Sequence, residues 1–203
     1  MVRKVASARL FVAVDPPAQA CERLAAWARV AVRSIGLGGD GSVSVRVLDP
    51  ELLHVTLCFL GERPVGEIDA IAGALAESAN VVGRLGIGAP LWLPPRRPRA
   101  LAVEVRDEDG ADDGGSLAAL QGALSLALAR ACGYRRERRR FRAHVTLARM
   151  GSDRRLRGSE IERALPATPA LSFTPGAVVL YRSRLSSAGA SYEALAEHTL
   201  IRP

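Results

Sequence analysis

The chain has only three histidines, three cysteines and, among its 28 basic residues, a single lysine, Lys4. Each scarcity narrows the chemistry. Cys21, Cys58 and Cys132 are odd in number and widely spaced, with no C-x-x-C pair, so neither a disulfide framework nor a zinc site is indicated and a reducing cytoplasm is the expected location. No apolar run approaches the eighteen or more residues of a membrane span, and the run Arg9-Leu10-Phe11-Val12-Ala13-Val14 is cut short by Asp15 and Pro16. A soluble protein with no membrane partner and no signal peptide is expected, and a monomer. Because lysine is nearly missing, the net charge of +7 is almost all guanidinium, which suits planar and phosphate recognition and implies an anionic partner.

What is present is enough for a core: 203 residues, 48% hydrophobic, at the boundary between one domain and two small lobes. Residues 9–14 alternate as a strand, and Asp15-Pro16-Pro17 ends it and opens a helix over 18–35. Residues 36–41 read as a loop, 53–60 as a strand closed by Gly61, and 64–82 as a helix with Val65, Ile68, Ile71, Ala72 and Leu75 at helical spacing. Strands follow at 85–93 and 100–105, then an acidic Gly-rich loop over 107–115. An Ala/Leu-rich helix spans 117–131 and ends at Gly133. A basic run, 135–142, leads into a strand at 144–149, and closing strands at 177–182 and 191–201 are joined by a Ser/Gly turn over 186–190. Strands that follow one another directly favour α+β with antiparallel sheets over a doubly wound parallel sheet.

The tetrapeptide His-Val-Thr-Leu occurs twice, at His54 to Leu57 and at His144 to Leu147, each followed four residues after its leucine by glycine, Gly61 and Gly151. Two of the three histidines are used this way. In a strand, residues two apart share a face, so His54 projects with Thr56 and His144 with Thr146, while the valines and leucines point into a core. Two such strands on facing walls give a groove with an imidazole and a hydroxyl from each side. That arrangement suits in-line displacement at phosphorus, which needs a base on the entering oxygen and an acid on the leaving one, with hydroxyls for the non-bridging oxygens. A metal site is disfavoured, because each His-x-Thr offers one good ligand and no nearby carboxylate. Cys58 lies in an apolar run and reads as core, not nucleophile. His198, without a threonine partner, reads as structural.

At these residues the chain resembles the two-histidine (2H) phosphoesterase superfamily, and within it the RNA 2′,3′-cyclic phosphodiesterase family, also called 2′-5′ RNA ligase. The likeness covers nearly the whole chain: residues 9–14 match the opening strand, 53–61 the first motif and 141–149 the second, with 94–99 and the stretch 183–200, including Gly189 and Tyr192, fitting as well. One departure is Ala143, where the family usually has proline.

The resemblance implies one bilobal unit over 1–203, α+β with two antiparallel sheets, flanking helices and pseudo-twofold lobes around a central groove. It implies no cofactor and hydrolysis of cyclic phosphate ends of RNA or oligonucleotides to 2′-phosphates. It assigns catalysis to His54 and His144 and phosphate contact to Thr56, Thr146 and Arg149; which histidine is base and which acid it leaves open, His144 as base and His54 as acid being one choice. By strict alternation Arg149 points away from His144, so its role requires the strand to end, twist or bulge after Leu147. Arg142 lies on the motif face by parity and is the second phosphate-binding candidate. The arginines at 96, 97, 99, 135, 136, 138, 139 and 140 either follow an RNA backbone or form a solvated face. Two other readings remain: another cyclic nucleotide or ADP-ribose cyclic phosphate as substrate, or a noncatalytic RNA-end-binding module, which would not need both imidazoles.

Overall fold

The computed structural model describes residues 6–35, 45–78, 81–95, 97–108, 115–137, 139–151, 165–186 and 189–201. Among them are nine strands and three α-helices: β1 (Ser7–Val14), α1 (Ala18–Ser34), β2 (Val45–Val47), β3 (Val55–Pro64), α2 (Ile68–Glu77), β4 (Leu85–Leu93), β5 (Ala100–Asp107), α3 (Gly115–Cys132), β6 (His144–Met150), β7 (Ser172–Phe173), β8 (Ala177–Ser186) and β9 (Gly189–Thr199). Every ladder between these strands is antiparallel, as expected for α+β. The order is β7-β4-β5-β6-β3-β1-β8-β9, with β2 also paired to β6. The two expected sheets are therefore two halves of one sheet, which meet where β3 and β6 share a single pair, Val55 opposite Val145.

The helices cover one face. In α1 the buried residues Ala20, Cys21, Leu24, Ala25, Ala28, Ala31 and Val32 recur at helical spacing, a stripe that packs on the sheet. Val55 and Val145 are fully buried in the same core cluster as Leu24, Leu120 and Leu124. One helix, α3, is long and apolar enough for a membrane span by length and composition, contrary to the sequence reading. Its Leu117, Leu120, Leu124 and Leu128 are nevertheless buried in the protein core, which accounts for its apolarity. It ends as expected at Gly133, where φ is +63°. The Gly133 amide donates to Ala129 O (3.1 Å), the bond of an αL cap, and the Tyr134 amide donates to Leu128 O (3.3 Å).

Several elements differ from expectation, β8 and β9 among them, which run over Ala177–Ser186 and Gly189–Thr199 instead of 177–182 and 191–201. β3 runs through Gly61 to Pro64 because β1 continues beside it, with Arg9 opposite Glu62 and Ser7 opposite Pro64; Gly61, at φ +70°, sits at a register shift. The helix expected over 64–82 is a 3-10 turn followed by the shorter α2, whose end Ser78 closes by donating its hydroxyl to Leu75 O (3.0 Å). β2 and β7, three and two residues long, were not foreseen. The loop read at 36–41 lies outside the described residues, as do most of the acidic loop and the centre of the turn over 186–190.

Candidate active site

The face opposite the helices holds a cavity of about 500 Å³ lined by His54, Thr56, His144, Thr146 and Arg149, together with residues from β1, β2, β8 and β9. The strand register explains why the motif residues meet there. β3 and β6 pair antiparallel at Val55 and Val145, so the neighbouring position on either side sets His54 across from Thr146 and Thr56 across from His144. The valines point to the core, and the four polar side chains share the open face.

The pairing around the two motifs is the same. β1 sets Ala13 against Thr56 and Val12 against Cys58, leaving Leu57 as an extra residue. β5 sets Ala102 against Thr146 and Leu101 against Ala148, leaving Leu147 as the extra residue. Each motif leucine is thus a β-bulge, which shifts the alternation by one. Ala148 becomes buried and Arg149 swings onto the groove face, the condition its expected role required. In β3 the same bulge buries Cys58 and turns Phe59, 57% exposed, into the groove. Phe59 therefore occupies in the first motif the place that Arg149 holds in the second.

Both imidazoles are oriented alike. His54 Nδ1 lies 2.8 Å from Leu52 O and His144 Nδ1 lies 2.8 Å from Arg142 O, in each case the carbonyl two residues earlier. A carbonyl only accepts, so Nδ1 carries the proton and Nε2 is the nitrogen left for a ligand. His54 also packs on Phe11 (centroids 4.9 Å apart) and meets Tyr192 edge-on (5.2 Å, 87°). Phe11 in turn stacks on Tyr181, whose hydroxyl donates to Asp15 Oδ2 at 2.5 Å. Burial among these rings, opposed by the Leu52 carbonyl and helped by the Arg149 and His144 charges, lowers the His54 imidazole to about 4. Burial raises Asp15 and, with Asp15 nearby, Tyr181.

Arg142 is not brought into the groove. Its Nη2 and Nε donate to Glu104 Oε1 at 3.2 and 3.3 Å, while Arg106 binds the other carboxylate oxygen. Glu104 sits directly across from His144 in the β5–β6 ladder, so it draws the Arg142 side chain along the strand and away from the cavity. What Arg142 supplies to the site is its main-chain carbonyl, the acceptor for His144. Arg135, Arg136, Arg139, Arg140, Arg97 and Arg99 are exposed and away from the cavity lining; Arg96 and Arg138 lie outside the described residues. Cys58 is buried against Ser125 (Sγ to Oγ 3.7 Å), with its thiol raised by that burial, and all three cysteines are free thiols. His198 pairs with Val178 on β8 and does not line the cavity. Among the described residues no three His, Cys, Asp or Glu side chains converge on one point.

Sequence reasoning missed Arg46, Phe59 and the aromatic floor of Phe11 and Tyr192. Only the bulge after each motif leucine, or the pairing of a three-residue strand, could have pointed to the first two, and neither has a local signature.

A single antiparallel sheet with two histidine-threonine pairs crossed on its open face is the arrangement of a two-histidine phosphoesterase. No family model matches the chain. An RNA 2′,3′-cyclic phosphodiesterase of Archaeoglobus fulgidus is 31% identical over 145 residues, spanning 70% of this chain and 72% of the archaeal one. Among solved structures, TT0787 of Thermus thermophilus superposes with a TM-score of 0.68 at 23% identity, covering 95% of this chain and 97% of that one. Escherichia coli LigT complexed with 3′-AMP gives 0.68 at 23% identity, covering 96% and 99%. The chain belongs to the RNA 2′,3′-cyclic phosphodiesterase family of 2H phosphoesterases.

Proposed function

We propose that the protein hydrolyses 2′,3′-cyclic phosphate ends of RNA to 2′-phosphates by acid-base catalysis between His54 and His144, without a metal. The observation that carries this is the matched orientation of the two rings: each donates Nδ1–H to the carbonyl two residues back and keeps Nε2 for the groove. Two imidazoles held this way can take a proton from the entering oxygen and give one to the leaving oxygen. Thr56 and Thr146, each across the ladder from the other motif's histidine, hold the non-bridging oxygens, and Arg149 balances their charge. The archaeal relative's name and the 3′-AMP bound by LigT support a nucleotide phosphate in this groove.

The burial of His54 favours a direction opposite to the one the sequence reading took first. Held near 4, this ring is neutral at pH 7 and takes the proton of the attacking water. His144, at the other end of the crossed pairs, protonates the 3′-oxygen. A cyclic phosphate whose 3′-oxygen is replaced by sulfur decides between the two, because a thiolate leaves without a proton. His144→Ala should recover turnover on that substrate and His54→Ala should not; the reverse would restore the first assignment. The reaction itself is tested by phosphorus NMR of a cyclic-phosphate-ended oligonucleotide. A single 2′-phosphate product supports it, and an unchanged substrate refutes it.

A further inference from the structure

Asp15 and Tyr181 take no part in the proton transfers proposed above, yet they stand one ring away from His54. Val12 and Val14 of β1 point into the core, so Phe11 and Ala13 alternate onto the opposite face, where Asp15 joins them. Phe11 is directly opposite Tyr181 in the β1–β8 ladder, and the two rings stack at 22° with centroids 5.2 Å apart. Ala13 carries only a methyl group, and the Tyr181 hydroxyl reaches past it to donate to Asp15 Oδ2. Phe11 in turn lies against the imidazole of His54, centroids 4.9 Å apart, and Tyr192 meets both rings edge-on.

Packing alone does not call for this pair. A phenylalanine at 181 would stack on Phe11 equally well, and a polar pair of this kind adds little to stability over apolar side chains of the same shape. The carboxylate is costly as well: burial raises Asp15, and the nearby charge of Glu197 raises it further, against the one hydroxyl that Tyr181 supplies. Glu22 and Glu51 line the small cavity on which Asp15 also borders. What the hydrogen bond contributes is direction, because a tyrosine tied at its tip cannot tilt away from the ring beneath it. The charges that act on His54 itself are those of Arg149 and His144, so Asp15 reaches the imidazole through Tyr181 and Phe11.

We propose that Asp15 and Tyr181 are positioning residues for His54: their hydrogen bond clamps the Tyr181 ring on Phe11, and Phe11 holds the imidazole in the plane, and away from the water, that its proton transfer requires. This rests on the acid-base reading above. The test follows His54 by NMR titration, alongside kcat and KM, in the wild type, Tyr181→Phe, Asp15→Ala and Asp15→Asn. Freeing the clamp admits water to the ring, so in Tyr181→Phe and Asp15→Ala its titration should rise from about 4 towards 6.5, by about one pH unit or more. With the ring no longer held, kcat should fall about tenfold while KM changes little. Asp15→Asn keeps an oxygen for the Tyr181 hydroxyl and should behave as the wild type. The sign separates the clamp from simple charge, because removing a carboxylate that acted on His54 directly would lower its titration. Tyr181→Phe, the milder change, carries the test if Asp15→Ala does not fold. A lower melting temperature with the His54 titration unmoved would make the pair structural only and overturn the clamp, and so would a titration that falls in Asp15→Ala. If the wild type turns over no cyclic phosphate while His54 titrates as expected in all four proteins, the catalytic reading fails and the clamp stands.

Discussion

The depressed His54 imidazole makes folding stability depend on pH in a way that can be worked out beforehand. In the unfolded chain the ring titrates near its ordinary 6.5, and in the folded protein near 4. Between those values the unfolded state binds a proton that the folded state does not, so stability contributed by the neutral ring is complete above pH 6.5 and is lost as pH falls towards 4. The gap of 2.5, from 6.5 to about 4, corresponds to about 3 kcal/mol at 1.36 kcal/mol per unit, most of it already lost by pH 4. That is a large share of a typical domain's 5 to 15 kcal/mol. Urea unfolding at pH 7.5, 6, 5 and 4 should show the wild type losing about 2 kcal/mol more than His54→Gln by pH 5 and about 3 more by pH 4. The raised Asp15 carboxyl pulls the opposite way, but it is common to both proteins and cancels in the difference. Added inorganic phosphate should flatten the wild-type curve, because an anion in the groove favours the charged ring. Parallel pH profiles for the two proteins, or an NMR titration of His54 near 6.5, would show that the ring is hydrated and that the argument from burial is mistaken.

Replacing His54 or His144 by alanine should lower turnover about 100- to 10,000-fold with the melting profile retained, and near-normal activity in either folded variant would remove the acid-base mechanism. Thr56→Val and Thr146→Val should each cost about 1.5 to 3 kcal/mol of transition-state binding, read as kcat/KM. Turnover should be indifferent to a chelator; activity lost to the chelator and restored by zinc or manganese would contradict the metal-free reading. Glu104→Ala frees the Arg142 side chain and with it the carbonyl that orients His144, so kcat should fall more than KM rises, and a change in KM alone would mean that Glu104 serves substrate binding instead.

The sequence alone determined the two histidine-threonine pairs and most of the elements. Strand periodicity placed His54 with Thr56 and His144 with Thr146 on one face, because alternation along a strand is a local property that needs no partner. The repeat made the two motifs equivalent, and Gly133 ended α3 because only the local chain decides where a left-handed cap is needed. Tertiary structure decided what depends on pairing. The bulges at Leu57 and Leu147 arise from how β1 and β5 lie alongside, and they turned Phe59 and Arg149 into the groove against the alternation. Arg142 had the right parity and still went elsewhere, because Glu104 stands across the ladder from His144 and takes its guanidinium. Arg46 comes from a three-residue strand with no periodicity to detect, yet it meets Arg149 in register and Gly189 from the far half of the sheet. The burial of His54 was likewise absent from its tetrapeptide: it came from Phe11 and Tyr192, brought against the ring by β1 and β9, because desolvation is set by neighbours in space.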